Sequence, residues 1–405
     1  MSESFIAGLS ALLVAGSIQA QAQTMDVQAE LAKQAARIAD LEKKAATVSF
    51  PEALTPYVLI DTTLTSMSNA TTDGRNKVDF GVSYMSGCRW GLKGLLKTNV
   101  DDLNIIYKLE SEYETPTGNM DTPNVLFNRD AWVGFSHKLF GQFTFGRQNT
   151  VARDFSQNYG DPYGHPAVNY DEGGWTNNNN NFKQMIYFAA SEDGTRVNKG
   201  LTWKKVAENG WAMGIGYNMT STEANTSTKN TDLEFALGYN GLGYNISGFY
   251  ITGNRMGYQQ TSSSVGGNVD VTKRLRLYAG LFHYTADQGA LNPTRNDDAF
   301  TLSMRFQATP KWGCNLGYQS MKAKTAGLSG SGYMTNPFSD GSASTKFGTG
   351  TKNTAYCGIF RTLNRRSEAY LVADYMKLAD QYTLATTHGH DSQTTIGIGI
   401  RIRAL

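Results

Sequence analysis

The chain has 405 residues, 40% of them apolar and only 18% charged, with 42 Gly, 21 Tyr and 19 Phe. Its net charge of +2 is too small to point to nucleic acid or an acidic partner. A charged fraction below the roughly 25% of soluble proteins, beside so much Gly and aromatic residue, favours many short strands joined by turns.

The first elements are not strands. Residues 5–18, FIAGLSALLVAGSI, form an apolar run of signal-peptide length, and Ala20-Gln21-Ala22 follows as a cleavage site. The reading is a signal peptide over 1–22 and a mature start at Gln23, although MSES carries no Lys or Arg. Residues 25–48 then read as a helix. Thr24, Leu31, Ile38 and Ala45 fall at heptad position a, with Val27, Gln34, Leu41 and Val48 at d. Arg37 at g can reach Glu42 at e of a neighbouring helix. Residues 23–50 are therefore expected to be a short coiled-coil extension, ended by Pro51 and Pro56. A single amphipathic helix on the barrel base is the alternative.

Residues 51–405 are expected to be an all-β domain. Beyond the first 20 residues no apolar run reaches the 18 or more that a spanning helix needs. Alternation is clear in places. Ile396, Ile398, Ile400 and Ile402 alternate with Gly397, Gly399, Arg401 and Arg403. Such a strand suits a wall between oil and water; a soluble core would have to bury the arginines or expose the isoleucines. In 103–113, Leu103, Ile105, Tyr107 and Leu109 share one face, opposite Asn104, Lys108, Glu110 and Glu112. Trp90 and Leu92 likewise oppose Arg89 and Lys93.

Sixteen strands are predicted, at 57–67, 83–93, 103–113, 125–137, 141–148, 197–206, 211–219, 231–240, 243–252, 264–273, 275–285, 297–308, 312–322, 352–363, 367–377 and 393–405. The segment 182–190 is a spare. Short turns at 139–141, 209–210 and 240–241 alternate with long polar segments at 149–182, 220–230, 286–296 and 323–351, as the turns and loops of a 16-stranded antiparallel transmembrane β-barrel would. Cys88, Cys314 and Cys357 are too few and too scattered for a disulfide framework or metal site. They are expected to be small apolar fillers on strands.

CRWGLKG (88–94), DLNIIYKLE (102–110), FNRDAWVGF (127–135) with GQFTFGRQ (141–148), and TLNRRSEAYLVADY (362–375) resemble the trimeric general diffusion porins of Gram-negative outer membranes, in the branch common in β-proteobacteria. The resemblance covers about 57–405. It implies a homotrimer in outer-membrane lipid that passively admits ions and small hydrophilic solutes, with a periplasmic N-terminus. It also implies that the loop 149–195 folds inward and narrows the pore. Its acids Asp154, Asp161, Asp171 and Glu172 would face a cationic wall of Arg89, Lys93, Arg129 and Arg196, steadied by Glu110. Arg147, on the phase of Phe143 and Phe145, would face outward toward another protomer. Opposed charges across a constriction create a transverse field that passes polar solutes and hinders apolar ones. No catalytic residue, cofactor or metal is implied. The chain departs from the family in ending Arg403-Ala404-Leu405 rather than in an aromatic residue, and in its helical extension.

Three other readings were weighed. An outer-membrane hydrolase needs a paired base and nucleophile, and the only clustered histidines, His388 and His390, lie in an expected loop. A substrate-specific channel for a sugar or organic anion could use Tyr159, Tyr163, Tyr170 and Trp175 as an aromatic slide. A third class would tether the envelope through 25–48, with a cell-wall or periplasmic partner for the coil.

Overall fold

The structure, a computed structural model, describes residues 53–81, 84–160, 162, 167–168, 195–219, 231–255, 257–335 and 344–404, together with Lys33, Gln34 and Arg37. The signal peptide, most of the coil, segment 182–190 and Leu405 lie outside the described residues. The chain divides into two units, 1–51 and 52–405. In the first, Lys33, Gln34 and Arg37 are helical and exposed. No described helix is long and apolar enough to cross a membrane.

The second unit is built from seventeen strands: β1 (Thr55–Met67), β2 (Lys77–Gly81), β3 (Arg89–Lys97), β4 (Leu103–Glu112), β5 (Asp130–His137), β6 (Gly141–Asn149), β7 (Arg196–Val206), β8 (Trp211–Asn218), β9 (Thr231–Gly241), β10 (Tyr244–Arg255), β11 (Tyr258–Thr272), β12 (Leu275–Ala286), β13 (Arg295–Gln307), β14 (Trp312–Gly327), β15 (Phe347–Asn364), β16 (Ser367–Asp380) and β17 (Ser392–Ala404). One short helix, α1 (Val151–Ser156), follows β6. From β3 onward each strand pairs antiparallel with the next, and β1 pairs with β17 from Val58↔Ala404 to Met67↔Thr395. The sheet is thus a closed ring with no free edge, as a bilayer demands of strands.

β2 and β3 share one place in that ring. β2 pairs with Thr63–Met67 of β1 and β3 with Thr55–Leu59, so the barrel has sixteen staves. The continuous strand predicted at 83–93 is corrected here. The stave breaks after Gly81 and resumes at Arg89, and Tyr84, Met85, Ser86 and Cys88 are buried between the two halves. Tyr84 donates to Asp374 of β16 (2.6 Å), and Arg401 of β17 donates to Ser86 (2.8 Å). The Asp61 amide donates to Cys88 Sγ (3.1 Å), and the thiol donates back to the Asp61 carbonyl (3.0 Å). Cys88 therefore pins an inward excursion rather than filling a strand face. Gly87 permits the excursion, because a Cβ there would stand 2.3 Å from Glu112 Oε1.

The outer face is apolar: Phe135, Phe143, Ile215, Phe235, Leu281, Leu316, Leu371 and Ile398 are all exposed. The inner face carries Asp61, Glu110, Glu234, Asn245, Gln319, Asp374 and Arg401, all buried. The lumen is not uniform, however. On β10, β12, β14 and β16 the inward residues Ile251, Tyr284, Met321, Met376 and Leu378 form an apolar cluster that the alternation did not predict.

Several strands outrun their predicted ends. The strand expected at 352–363 covers Phe347–Asn364, and that expected at 312–322 covers Trp312–Gly327, so the loop between them shrinks to 328–346. Beyond the hydrocarbon both faces meet water, and the alternation that marks a strand fades there. In contrast, 125–129 lies outside β5.

If the outward face meets lipid, its tolerance of charge depends on depth. Ile398→Arg, at the centre of β17 where Ile398 is 62% exposed, should cost about 2–4 kcal/mol of folding free energy in lipid. Leu242→Arg, in the β9–β10 turn, should cost about 0–1 kcal/mol. Urea titration in vesicles measures both, and equal midpoint shifts would show that Ile398 does not face hydrocarbon.

Candidate pore constriction

The chain leaving β6 turns into the lumen and stays against its wall. Thr150 caps α1, its hydroxyl accepting from the Arg153 amide (3.1 Å). The Val151 amide donates to the Glu234 carboxylate on β9. Ser247 of β10 donates to the Phe155 carbonyl (3.2 Å), and Asn268 of β11 donates to the Asn158 carbonyl (2.6 Å). Tyr159 bonds Ser264 (2.8 Å), and Thr301 of β13 donates to the Gly160 carbonyl (3.2 Å). The segment therefore crosses the inner surface from β7 to β13. Asn240, one residue before the end of β9, then grips Val168 from both sides, accepting from its amide and donating to its carbonyl, each at 3.0 Å. Most of these polar atoms are buried, so those bonds spare a desolvated donor or acceptor.

The charged wall lies on the strands that flank this entry. Glu110 of β4 is 0% exposed and gathers three donors, Tyr57 hydroxyl at 2.8 Å, Arg129 Nε at 2.5 Å and Lys108 Nζ at 3.2 Å, with the Arg196 Nη2 cation at 3.9 Å. Arg129 also reaches Glu112, and Lys108 reaches Asp130 (2.7 Å). Gly91 faces Glu110 across the β3–β4 ladder. Its missing side chain leaves room for the Tyr57 ring, whose hydroxyl would lie 2.6 Å from a Cβ there. Lys93 and Lys108 each hold Nζ 5.9 Å from the Tyr57 ring centroid, a favourable cation–π range. Arg89 Nε donates to the Gly87 carbonyl (2.9 Å), and Arg89 stands opposite Glu112 in the ladder. The structure thus brings Glu110, Arg129 and Arg196 together, with Arg89 and Lys93 on the neighbouring stave. Among the described residues, the carboxylates bonded to this cationic wall are Glu110, Glu112 and Asp130.

The loop acids differ from expectation where they are described. Asp154 is only 1% exposed. It accepts from Lys204 Nζ of β7 (2.5 Å) and Asn149 (3.0 Å), with Arg153 at 3.7 Å. The single turn of α1 aims it back at its own wall, so it is neutralised there rather than offered to the arginines. Asp161, Asp171 and Glu172 lie outside the described residues, as do Tyr163, Tyr170 and Trp175.

Arg147 is half-buried, donating to the Asn128 carbonyl and to Asn198 Oδ1, both at 2.7 Å. A bulge beside it, with Gly146 at φ +127°, shifts the β6–β7 register, so strict alternation does not fix its direction. Lys108 and Glu112 share the inward phase of Glu110, and that signal was available. Tyr57 and Lys204 gave none, because their partners, Glu110 and Asp154, lie on other elements.

Glu110 is the hub of this wall. Glu110→Gln should destabilise the barrel by about 1.5–3 kcal/mol, because Arg129 and Lys108 lose a charged acceptor but keep Glu112 and Asp130. Tyr57→Phe, which removes one charge-assisted hydrogen bond, should cost about 1.5–3 kcal/mol. Urea unfolding of the purified barrel checks both, and an unchanged midpoint for Glu110→Gln would show that the cations do not depend on it.

Comparison with known proteins agrees with this architecture. The chain is 24% identical over 276 residues to an outer membrane porin protein of Bordetella pertussis, an alignment that covers 66% of this chain and 64% of that relative's length. Among solved structures it resembles an anion-selective porin from Comamonas acidovorans, at TM-score 0.68 and 17% identity, over 87% of this chain and 99% of that one. It also resembles OmpT of Vibrio cholerae, at TM-score 0.60 and 15% identity, over 88% and 99% of the two chains. A family model described as Gram-negative porin matches residues 8–381, and with that match over most of its length the chain belongs to the Gram-negative porin family.

Proposed function

We propose that this chain forms a water-filled pore in the outer membrane through which ions and small hydrophilic solutes diffuse passively. One observation carries the reading: a closed sheet, apolar outside and polar inside, holds a hydrogen-bonded loop segment within its lumen beside a charged wall. Arg89, Lys93, Glu110, Arg129 and Arg196 would form the wall of the constriction, and Asp161, Asp171 and Glu172 its loop side. Asp154 contributes a neutralised pair with Lys204 instead. The excess of cations over carboxylates on the wall favours weak anion preference, and one structural neighbour is titled an anion-selective porin. The chain would assemble as a homotrimer, as one solved form of Vibrio cholerae OmpT does, with Arg147 near the contact between protomers. The N-terminal helix would lie in the periplasm.

The apolar arc on β10 to β16 favours a second reading, a channel selective for one class of organic solute. There, rings such as Tyr284 would slide a solute past the charged wall.

Planar-bilayer recording tests these readings together. The expected result is three equal conductance steps per insertion and a reversal potential on the anion side in a KCl gradient. Arg89→Ala with Arg129→Ala should move the permeability ratio toward cations by about twofold or more. A protein that inserts but carries no current would overturn the pore. Concentration-dependent block by one organic solute and not by its analogues would favour the selective channel.

A further inference from the structure

We propose that the turn-side mouth of the barrel holds a binding pocket for a small multivalent anion, a phosphate or a di- or tricarboxylate, built from the β15–β16 turn and the end of β17. The proposal rests on the pore reading and names the solute class that the mouth would collect. A cavity of about 180 Å³ is lined by Thr362, Asn364, Arg365, Arg366, Glu368, Arg401 and Arg403, among others. At roughly 30 Å³ per water, it has room for inorganic phosphate or a short dicarboxylate with part of its hydration.

Its charges are not balanced. Arg401 is buried and spoken for, since its Nε donates to Glu368 (2.7 Å) and another of its nitrogens donates to Ser86. Arg365, Arg366 and Arg403 are exposed, and none has a side-chain hydrogen bond or ion pair among the described residues. Their backbones are fixed all the same. The Arg366 amide donates to Asn364 Oδ1 (2.8 Å), and the Arg403 amide donates to the Arg366 carbonyl (2.7 Å). Three arginines are thus anchored by their backbones around one cavity whose single carboxylate, Glu368, is already bonded to Arg401. The planar fork of arginine suits bidentate binding of phosphate and carboxylate oxygens, and a like-charged trio is relieved by an anion of charge two or more.

The strand phase says which side the pocket serves. Glu368, Arg401 and Arg403 alternate with Ala369, Ile400 and Ile402, and they share the inward face of Tyr370 and Thr395. The pocket therefore opens toward the channel mouth and not toward lipid. A solute anion held there would be concentrated at one end of the pore.

Binding can be read without conductance. Purified wild-type barrel in detergent is titrated calorimetrically with inorganic phosphate at constant ionic strength, beside the triple variant Arg365→Gln, Arg366→Gln, Arg403→Gln. Arg403→Gln alone serves as a milder change, and Lys97→Gln as a rim control. Saturable phosphate binding by wild type and by Lys97→Gln is expected, weakened about tenfold or more in the triple variant and by a lesser factor in Arg403→Gln. Absence of saturable binding to wild type overturns the pocket, as does equal binding by all four proteins. Retention of an anionic glycerophospholipid by wild type and not by the triple variant, with no phosphate uptake, also overturns it, since the arginines would then serve lipid. Bilayer recording of the same preparation keeps the two readings apart. Phosphate binding without current leaves the pocket and removes the pore, and current without phosphate binding does the reverse.

Discussion

The pairing of β1 with β17 is the constraint from which the rest of the molecule follows. Hydrocarbon offers no partner to an amide or carbonyl, so a sheet that crosses it must satisfy every such group internally. The ladder from Val58↔Ala404 to Met67↔Thr395 does this for the two strands that would otherwise be edges. Closure also separates two solvents. Once the ring is shut, outward residues can be as apolar as Ile398 and Leu281 while their chain neighbours carry hydroxyls and charges. The chain's negative mean hydropathy, −0.40, follows from this, because only one face of each stave is asked to be greasy.

Closure alone would leave an open tube, and the interior is organised by two different means. The described part of the inward loop is held mostly by neutral hydrogen bonds from Ser247, Ser264, Asn268, Thr301 and Asn240. These fix its path and leave the balance of charge almost untouched. The wall beside its entry is held by ions around Glu110, which lowers the mutual repulsion of Arg129, Arg196 and Lys108 and lets them crowd together. Such a buried cluster is a weak source of net stability. Its value lies in keeping several cations at fixed positions in one narrow region.

Some of this was legible in the chain and some was not, for local reasons. The terminal run of isoleucines could be read because the alternation there is unbroken over a full stave. Glu110 could be read because LNIIYKLESEY keeps phase through it, and Lys108 and Glu112 were legible on the same ground. The excursion at 84–88 could not, since Tyr-Met-Ser-Gly-Cys mixes polar and apolar residues as a strand does. Only the contacts of Tyr84 and Cys88 with distant staves distinguish it. Asp154 was expected to face the arginines because a loop carries no period from which to read direction. Its partner Lys204 lies 50 residues away. Arg147 was assigned by counting through Gly146, where the bulge breaks the count. Local alternation reports which solvent a stave divides. It is silent on which side chains from other staves will meet inside.

Arg401 and Arg403 show how differently one residue type can serve on one face of one strand. Arg401 lies where the 84–88 excursion meets β17, and it is bonded there to Ser86 and Glu368. An unpaired cation in that position would be buried and costly, so its partners are needed for folding. Two residues further the excursion no longer covers the wall, and Arg403 stands in the open with Arg365 and Arg366 around it. All three reach solvent, and the one carboxylate beside them, Glu368, is bonded to Arg401. Four arginines around one carboxylate leave the mouth with an excess of positive charge. That arrangement fits a surface shaped for an anion that arrives from solution better than one shaped for the barrel's own stability.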